Sequence, residues 1–319
     1  MTMTVKRETR KFLEILFILF LFISVAYSQG KIHNDKTFPI LKGPYLGQKP
    51  PGLTPVIFAP DIISTGEREM CVWFVPGGKE LYFVRSINSR RTIFCMKEEN
   101  GHWTSPEVVP FSGKHDDGEF GLSYSGNKMA IASIRPSDNE NTVIGFVDIW
   151  ITVRNGSEWS KPVNPGYPIN TKDKDIYPTF SMAGDLYFTS DRDGHSHIYL
   201  SRYINEEYSQ PVKLNNSINS EYHDFDSVVA PDDSYMIFCS LRKADNYGSS
   251  DLYISFRKQD GSWTKAKNMG KNINTSYGSY CPSISPDGNY IFFMSMRSGS
   301  GDICWMDARI IEELRTNKF

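Results

Sequence analysis

Four carboxylates recur ahead of apolar, strand-like segments of this chain: Glu69, Glu119, Asp175 and Asp224, with Ser279 at the fifth such place, spaced by 50, 56, 49 and 55 residues. Asp226 follows the last of them by two residues, and Tyr280 follows Ser279. If these residues meet around one opening, three chemistries are available. A carboxyl held protonated beside an ionised one is the acid and base pair of glycoside cleavage. The same oxygens suit a hard cation such as Ca²⁺. Each carboxylate can instead accept hydrogen bonds from the backbone where neighbouring segments join. Glu69, Glu119, Asp175 and Asp224 are therefore the catalytic candidates if the chain is an enzyme. Together with Asp226 and Tyr280 they are the binding candidates, and Trp73, Tyr177 and Tyr280 are aromatic neighbours suited to stacking on a sugar.

Other chemistry is sparse. His195-Ser196-His197 places two imidazoles on one face of an extended strand beside Asp191 and Asp193, as zinc ligation could use. No third ligand accompanies them, so they read as the polar residues of a hairpin. The sequence has no Gly-x-Ser-x-Gly elbow, His-Glu-x-x-His pair, phosphate-cradling glycine loop or Cys-x-x-Cys pair. Nothing in it dictates a reaction, and no cofactor or metal is assigned.

The elements that must position these residues repeat. The clearest copy runs Tyr280-Cys281-Pro282-Ser283-Ile284-Ser285-Pro286-Asp287-Gly288-Asn289-Tyr290-Ile291-Phe292-Phe293, and fainter ones begin near Met70, Phe120, Ile176 and Phe225. Aligned on the turn, Cys71, Gly121, Tyr177, Asp226 and Cys281 are equivalent. A period of about 50 residues is that of a four-stranded propeller blade. Each copy continues into an apolar second strand such as Leu186-Tyr187-Phe188 and a third such as Asp251-Leu252-Tyr253. Trp103, Trp159, Tyr208 and Trp263 then mark entry to an outer strand. The fifth copy runs instead into Ala308–Leu314, which reads as helix, and Leu53–Phe58 resembles the missing outer strand. The expectation is an all-β, single five-bladed β-propeller over 53–307, with four strands per blade and the ring closed by an N-terminal strand joining the last blade. Closure removes the exposed sheet edges of an open array. Arg135, Arg192, Arg242 and Arg297 end second strands, and Asp148, Asp251 and Asp302 open third strands, which predicts a repeated interstrand charge pair.

Residues 1–28 read as a signal peptide, with Lys6, Arg7, Arg10 and Lys11 ahead of an apolar core and Ala26-Tyr27-Ser28 at the cleavage site. The expected location is thus periplasmic or secreted, with no membrane span after cleavage. Residues 29–52 form a Pro/Gly-rich lead-in and 308–319 a short helical tail. The formal charge is −2, and −4 without the four basic and two acidic residues of the leader. That excludes the basic footprint of a nucleic-acid binder. The five cysteines are odd in number and lie in apolar runs, as buried thiols do. A Cys71–Cys281 bridge between the first and last repeats is conceivable.

The Ser285-Pro286-Asp287-Gly288 turn and the Arg297…Asp302-Ile303 spacing resemble the WD40-like repeat called PD40, found in the propeller half of the periplasmic protein TolB and in many exported bacterial propellers. The resemblance covers residues 53–307. It implies the fold and says little of activity; five-bladed propellers of similar outline include glycoside hydrolases. The sequence lacks an amino-terminal α/β domain of the TolB kind, and the first two turns, Val75-Pro76-Gly77-Gly78 and Ser125-Gly126-Asn127, lack the aspartate. The leading expectation is an exported, non-enzymatic propeller that recognises a protein or an envelope glycan, with Pro136–Val147 and Lys243–Ser250 as contact loops. The alternative is a glycoside hydrolase or lyase with its carboxylates at the channel mouth.

Overall fold

The computed structural model describes residues 38–136 and 146–316. The leader, the first part of the lead-in and most of the Pro136–Val147 loop lie outside the described residues.

Five antiparallel sheets follow one another along the chain. Their inner strands are Glu69–Phe74, Asp117–Leu122, Asp175–Phe180, Asp224–Val229 and Ser279–Ile284. Each pairs with a second strand (Glu80–Ile87, Lys128–Ser133, Leu186–Ser190, Tyr235–Ser240, Tyr290–Ser295), and that strand with a third. The outer edges are Glu107–Val108, Val163, Val212–Lys213 and Lys267–Asn268 in blades one to four. In blade five the outer strand is Val56–Ile57, with Val56 opposite Trp305 and Ile57 opposite Cys304. The chain is therefore a five-bladed β-propeller closed by its own N-terminal strand.

Sequence dictates this layering directly. The inner and second strands are apolar on both faces because each blade packs against the next. Leu186–Ser190 and Tyr235–Ser240 are buried along their whole length. A strand buried on both faces reads as a continuous apolar run rather than an alternating one. Where the ring closes, Phe58 and Trp305 pack edge to face at 5.1 Å, and Phe74 and Phe292 complete the cluster. The lead-in docks beside this seam. Trp103 Nε1 donates to Gly43 O at 2.9 Å, and the Tyr45 hydroxyl donates to Asp287 in the fifth-blade turn at 3.0 Å. That turn lies at the far end of the inner strand from the residues that open it, so the contacts of the described lead-in residues are at that end and not at the opposite mouth. The C-terminal Ile310–Thr316 forms a short helix whose Ile311 and Leu314 are buried.

Each inner strand carries a register shift after its first or second residue. Such bulges bend a strand and re-aim a side chain. In four blades the residue after the shift has positive φ: Cys71, Tyr177, Asp226 and Cys281. Non-glycine residues rarely adopt this conformation; its recurrence makes it a feature of the blade design.

Candidate site at the channel mouth

The pairing register separates two sets of carboxylates that the sequence groups together. Glu69, Asp117, Asp175, Asp224 and Ser279 each open an inner strand and lie opposite Arg85, Ser133, Ser190, Ser240 and Ser295. Asp117, not Glu119, is thus the blade-two equivalent of Glu69. Glu119 belongs two residues further on, with Cys71, Tyr177, Asp226 and Cys281, and Gly121 is two places later still. The Asp116-Asp117-Gly118-Glu119 run offers three acids, and the faint blade-two turn could not fix which one is in register.

The first set is built into the sheets. The carboxylates of Glu69, Asp117, Asp175 and Asp224 are fully buried, and each meets an arginine from the end of its second strand. Arg85 Nε lies 2.9 Å from Glu69, Arg192 Nη2 2.9 Å from Asp175 and Arg242 Nη2 3.0 Å from Asp224, while Arg135 pairs with Asp117. Thr65, Thr171 and Ser220, four residues upstream, donate both N–H and hydroxyl to the same carboxylates. Burial pushes the Glu69 carboxyl up, with Thr65 and Arg85 acting against it. The arginines lie over aromatic rings of the second and third strands, Arg192 on Phe188 and Tyr199, Arg242 on Phe238 and Tyr253. The arginine staple expected from the sequence exists at Arg135, Arg192 and Arg242, while Arg297, whose blade has Ser279 in place of the acid, donates to Ser295 Oγ and Ile273 O. The partner in the staple is, however, the inner-strand acid. Asp251 and Asp302, expected to take that role, instead accept hydrogen bonds within their own hairpins, from Tyr247 N and Gly248 N and from the Ser298 hydroxyl. Asp148 accepts from Asn164.

A second repeat, beyond those expected from the sequence, accompanies this staple. Ile169-Asn170-Thr171, Ile218-Asn219-Ser220 and Ile273-Asn274-Thr275 precede three inner strands. Each asparagine bridges a third-strand residue in both directions: Ile149, Ile198 and Leu252 donate N–H at 2.8 Å and accept from the amide. The Ile-Asn-Thr/Ser phrase was legible, but a search anchored on the Asp-Gly turn passes over it.

The remaining residues form a funnel with a cavity of about 660 Å³. Its rim is the position just before the inner strand in blades one to four: Arg68, Asp116, Lys174 and His223. Below it lies a collar of Met70, Ile176, Phe225 and Tyr280, with Phe225 and Tyr280 6.4 Å apart and tilted by 34°. Glu119, Asp226 and Cys281 reach the cavity from the next level. Blade two has Gly118 in the collar. A Cβ there would lie 2.6 Å from Arg91 Cζ, so glycine is what allows that guanidinium to occupy the place. Arg91 is held by Asp116 through Nε and Nη2 and reaches Glu119 from Nη1 at 3.0 Å. For Asp116, burial raises its carboxyl, but the Arg91 bonds outweigh that and hold it low.

Asp226 is the exception among the carboxylates. It has no arginine; its Oδ2 accepts from Cys281 N at 3.3 Å, and no described residue bonds its Oδ1. Burial, then the nearby Glu119 charge, pushes its carboxyl up to about 8, so it carries its proton at neutral pH. Of the residues proposed from sequence, Glu119, Asp226 and Tyr280 come together here. Glu69, Asp175 and Asp224 stay in the sheets; Trp73 and Tyr177 are buried, the Tyr177 hydroxyl donating to Pro282 O. His197 uses both ring nitrogens, towards Asp193 and Ser220 O, which leaves neither for a metal. Among the described residues no three His, Cys, Asp or Glu side chains are gathered to hold a metal ion. All five cysteines are free and buried. No helix among the described residues is long and apolar enough to cross a membrane.

No protein-family profile matches the chain, and no curated protein sequence matches it. Solved propellers do. A TolB-type protein from Agrobacterium tumefaciens is 19% identical, over 76% of this chain and 78% of that one, with a TM-score of 0.49. TolB from Acinetobacter baumannii is 16% identical over 76% of this chain, which spans about half (52%) of that protein, also at 0.49. An endo-arabinase from Bacteroides thetaiotaomicron is 11% identical, over 81% and 97%, again at 0.49. Strand topology defines the class of this chain, a five-bladed β-propeller, and a fold of itself leaves the activity open.

Proposed function

We propose that the protein is an exported, non-enzymatic binding propeller whose ligand enters the channel mouth, an envelope glycan being the occupant the funnel suits best. One observation carries this reading. The mouth joins a polar rim to an apolar collar bearing Tyr280 and Phe225, while all four repeated acids, Glu69, Asp117, Asp175 and Asp224, are locked into arginine staples. A cavity of this volume falls in the range of small-ligand sites, with few polar groups arranged around an apolar wall. The test is a glycan array probed with the purified mature protein, with Tyr280→Ala as control. Binding that the variant loses supports the reading. Capture of an envelope protein at this face, with every glycan silent, would replace the glycan by a protein partner.

One observation favours a second reading, a carbohydrate-active enzyme. Asp226 holds a proton in the cavity that also receives the arginine-paired Glu119, and a proton donor beside a carboxylate is what glycoside cleavage uses. Sugar release by the wild type, abolished in both Asp226→Asn and Glu119→Gln, would establish this second reading instead.

A further inference from the structure

The hydrogen-bonding groups of the mouth do not balance. Its carboxylates Asp116 and Glu119 are both engaged by Arg91, Asp116 through both oxygens and Glu119 through Oε1. Its donors are not. Arg68 and Lys174 form no side-chain hydrogen bond or ion pair among the described residues, yet both line the cavity. His223 Nδ1 faces the backbone N–H of Ser196 at 3.1 Å and must accept from it. The ring proton therefore sits on Nε2, which has no described acceptor. These three donors occupy one structural position, the residue preceding the inner strand, in blades one, three and four. Asp226 Oδ1 adds a fourth free polar atom on a side chain 95% buried.

Charge points the same way. The whole chain carries −2. At the mouth, Arg68, Arg91 and Lys174 outnumber Asp116 and Glu119 while Asp226 keeps its proton. A cavity of opposite sign to the protein around it attracts anions. The nearby Asp116 and Glu119 limit how much negative charge it tolerates, which favours a monoanion over a phosphate dianion. The collar, with Phe225 and Tyr280, suits the apolar face of a sugar ring.

We propose that the mouth recognises an acidic saccharide, a sugar chain bearing a uronic-acid carboxylate, which Lys174, Arg68 and His223 Nε2 bind at the rim while its ring rests on Tyr280 and Phe225. This rests on the proposed reading of the mouth as a glycan site. The carboxylate takes the donors that no protein group satisfies, and the sugar hydroxyls bond the carboxyl of Asp226.

Calorimetric titration of the mature protein with an oligogalacturonide, its fully methyl-esterified form and a neutral galactan oligomer tests it. The acid form should bind and both uncharged forms should bind at least tenfold more weakly. Lys174→Gln should cost roughly tenfold in affinity for the acid form, a charge-assisted bond being lost. Arg68→Gln, at an exposed place, should cost up to about fivefold. Neither rim variant should alter the melting temperature, as neither side chain has a partner to lose. Equal affinity for acidic and neutral oligomers would overturn the acidic-saccharide assignment and leave the glycan reading standing. Acid-form affinity that both variants retain would overturn the rim assignment. Silence towards all three, extended over a full panel of uronate and neutral glycans, would overturn both.

Discussion

Two layers of carboxylates lie two residues apart on the same inner strands and do opposite work. In the staple layer, Glu69, Asp117, Asp175 and Asp224 each pair with an arginine and accept from an upstream hydroxyl, that of Thr65, Ser112, Thr171 or Ser220. In the channel layer, Cys71, Glu119, Tyr177, Asp226 and Cys281 share a backbone position and nothing else. A side chain repeated in every blade answers to the geometry all blades share. One that differs from blade to blade answers to something the ring as a whole does. The acid that recurs is therefore architectural, and the acids that occur once each, Glu119 and Asp226, face the cavity.

The largest expected effect breaks the staple. Asp224→Ala removes a buried carboxylate and leaves the Arg242 guanidinium uncompensated, together with the Ser220 and Ser240 hydroxyls that donated to it. Leaving one member of a buried pair alone costs about 3–5 kcal/mol. Denaturant unfolding should show this loss. Adding Arg242→Met should recover part of it, because the unpaired charge goes too. If Asp224→Ala unfolds at the wild-type midpoint, the staple is not the architectural layer.

The channel layer is sharpened by pH. Asp226, facing Glu119, Lys174 and the thiols of Cys71, Cys239 and Cys281, has its carboxyl raised from the ordinary 3.8 to about 8 in the folded chain. A raised carboxyl binds its proton more tightly folded than unfolded. Its contribution is complete below about pH 4, declines as the unfolded chain ionises, and is gone above about 8. Asp226→Asn keeps the shape and cannot ionise. The melting temperature of the variant relative to wild type should therefore climb from pH 4 to 8 and then level off. A difference that stays flat with pH would mean that Asp226 is already ionised in the fold.

Most of the fold could be read from the chain because it is written five times. Ring closure by Val56–Ile57 followed from a missing strand at one end and a spare one at the other. The site was only half legible. Alignment on the Asp-Gly turn was safe where the turn is intact, as at Asp287, and slipped by two in blade two, where Ser125-Gly126-Asn127 replaces it. In the sequence, period-two alternation hides a slip of two residues, although the bulge between Asp117 and Phe120 gives the two acids different surroundings in the fold. Only the pairing of Asp117 with Ser133 reveals it. Nor does sequence show that Arg91, in the first blade and 25 residues before Asp116, folds over Gly118 into the mouth.

Two glycines on that same strand give the finest cut between the layers. A Cβ on Gly121 would run into Pro178 O and approach Thr179 Cα at 2.8 Å, both backbone atoms of the adjoining blade. Backbone cannot step aside without moving the blade, so Gly121→Ala should cost roughly 1–3 kcal/mol, as overpacking does. A Cβ on Gly118 meets only the tip of Arg91, a flexible side chain that can swing towards solvent. Gly118→Ala should therefore cost about 1 kcal/mol or less, with the loss confined to the Arg91 pairs to Asp116 and Glu119. The displaced guanidinium frees Glu119 as an acceptor at the cavity, so ligand affinity should change while stability barely does. The opposite ranking, with Gly118→Ala the more damaging to stability, would make the Arg91 cluster part of the scaffold and dissolve the distinction between the two layers.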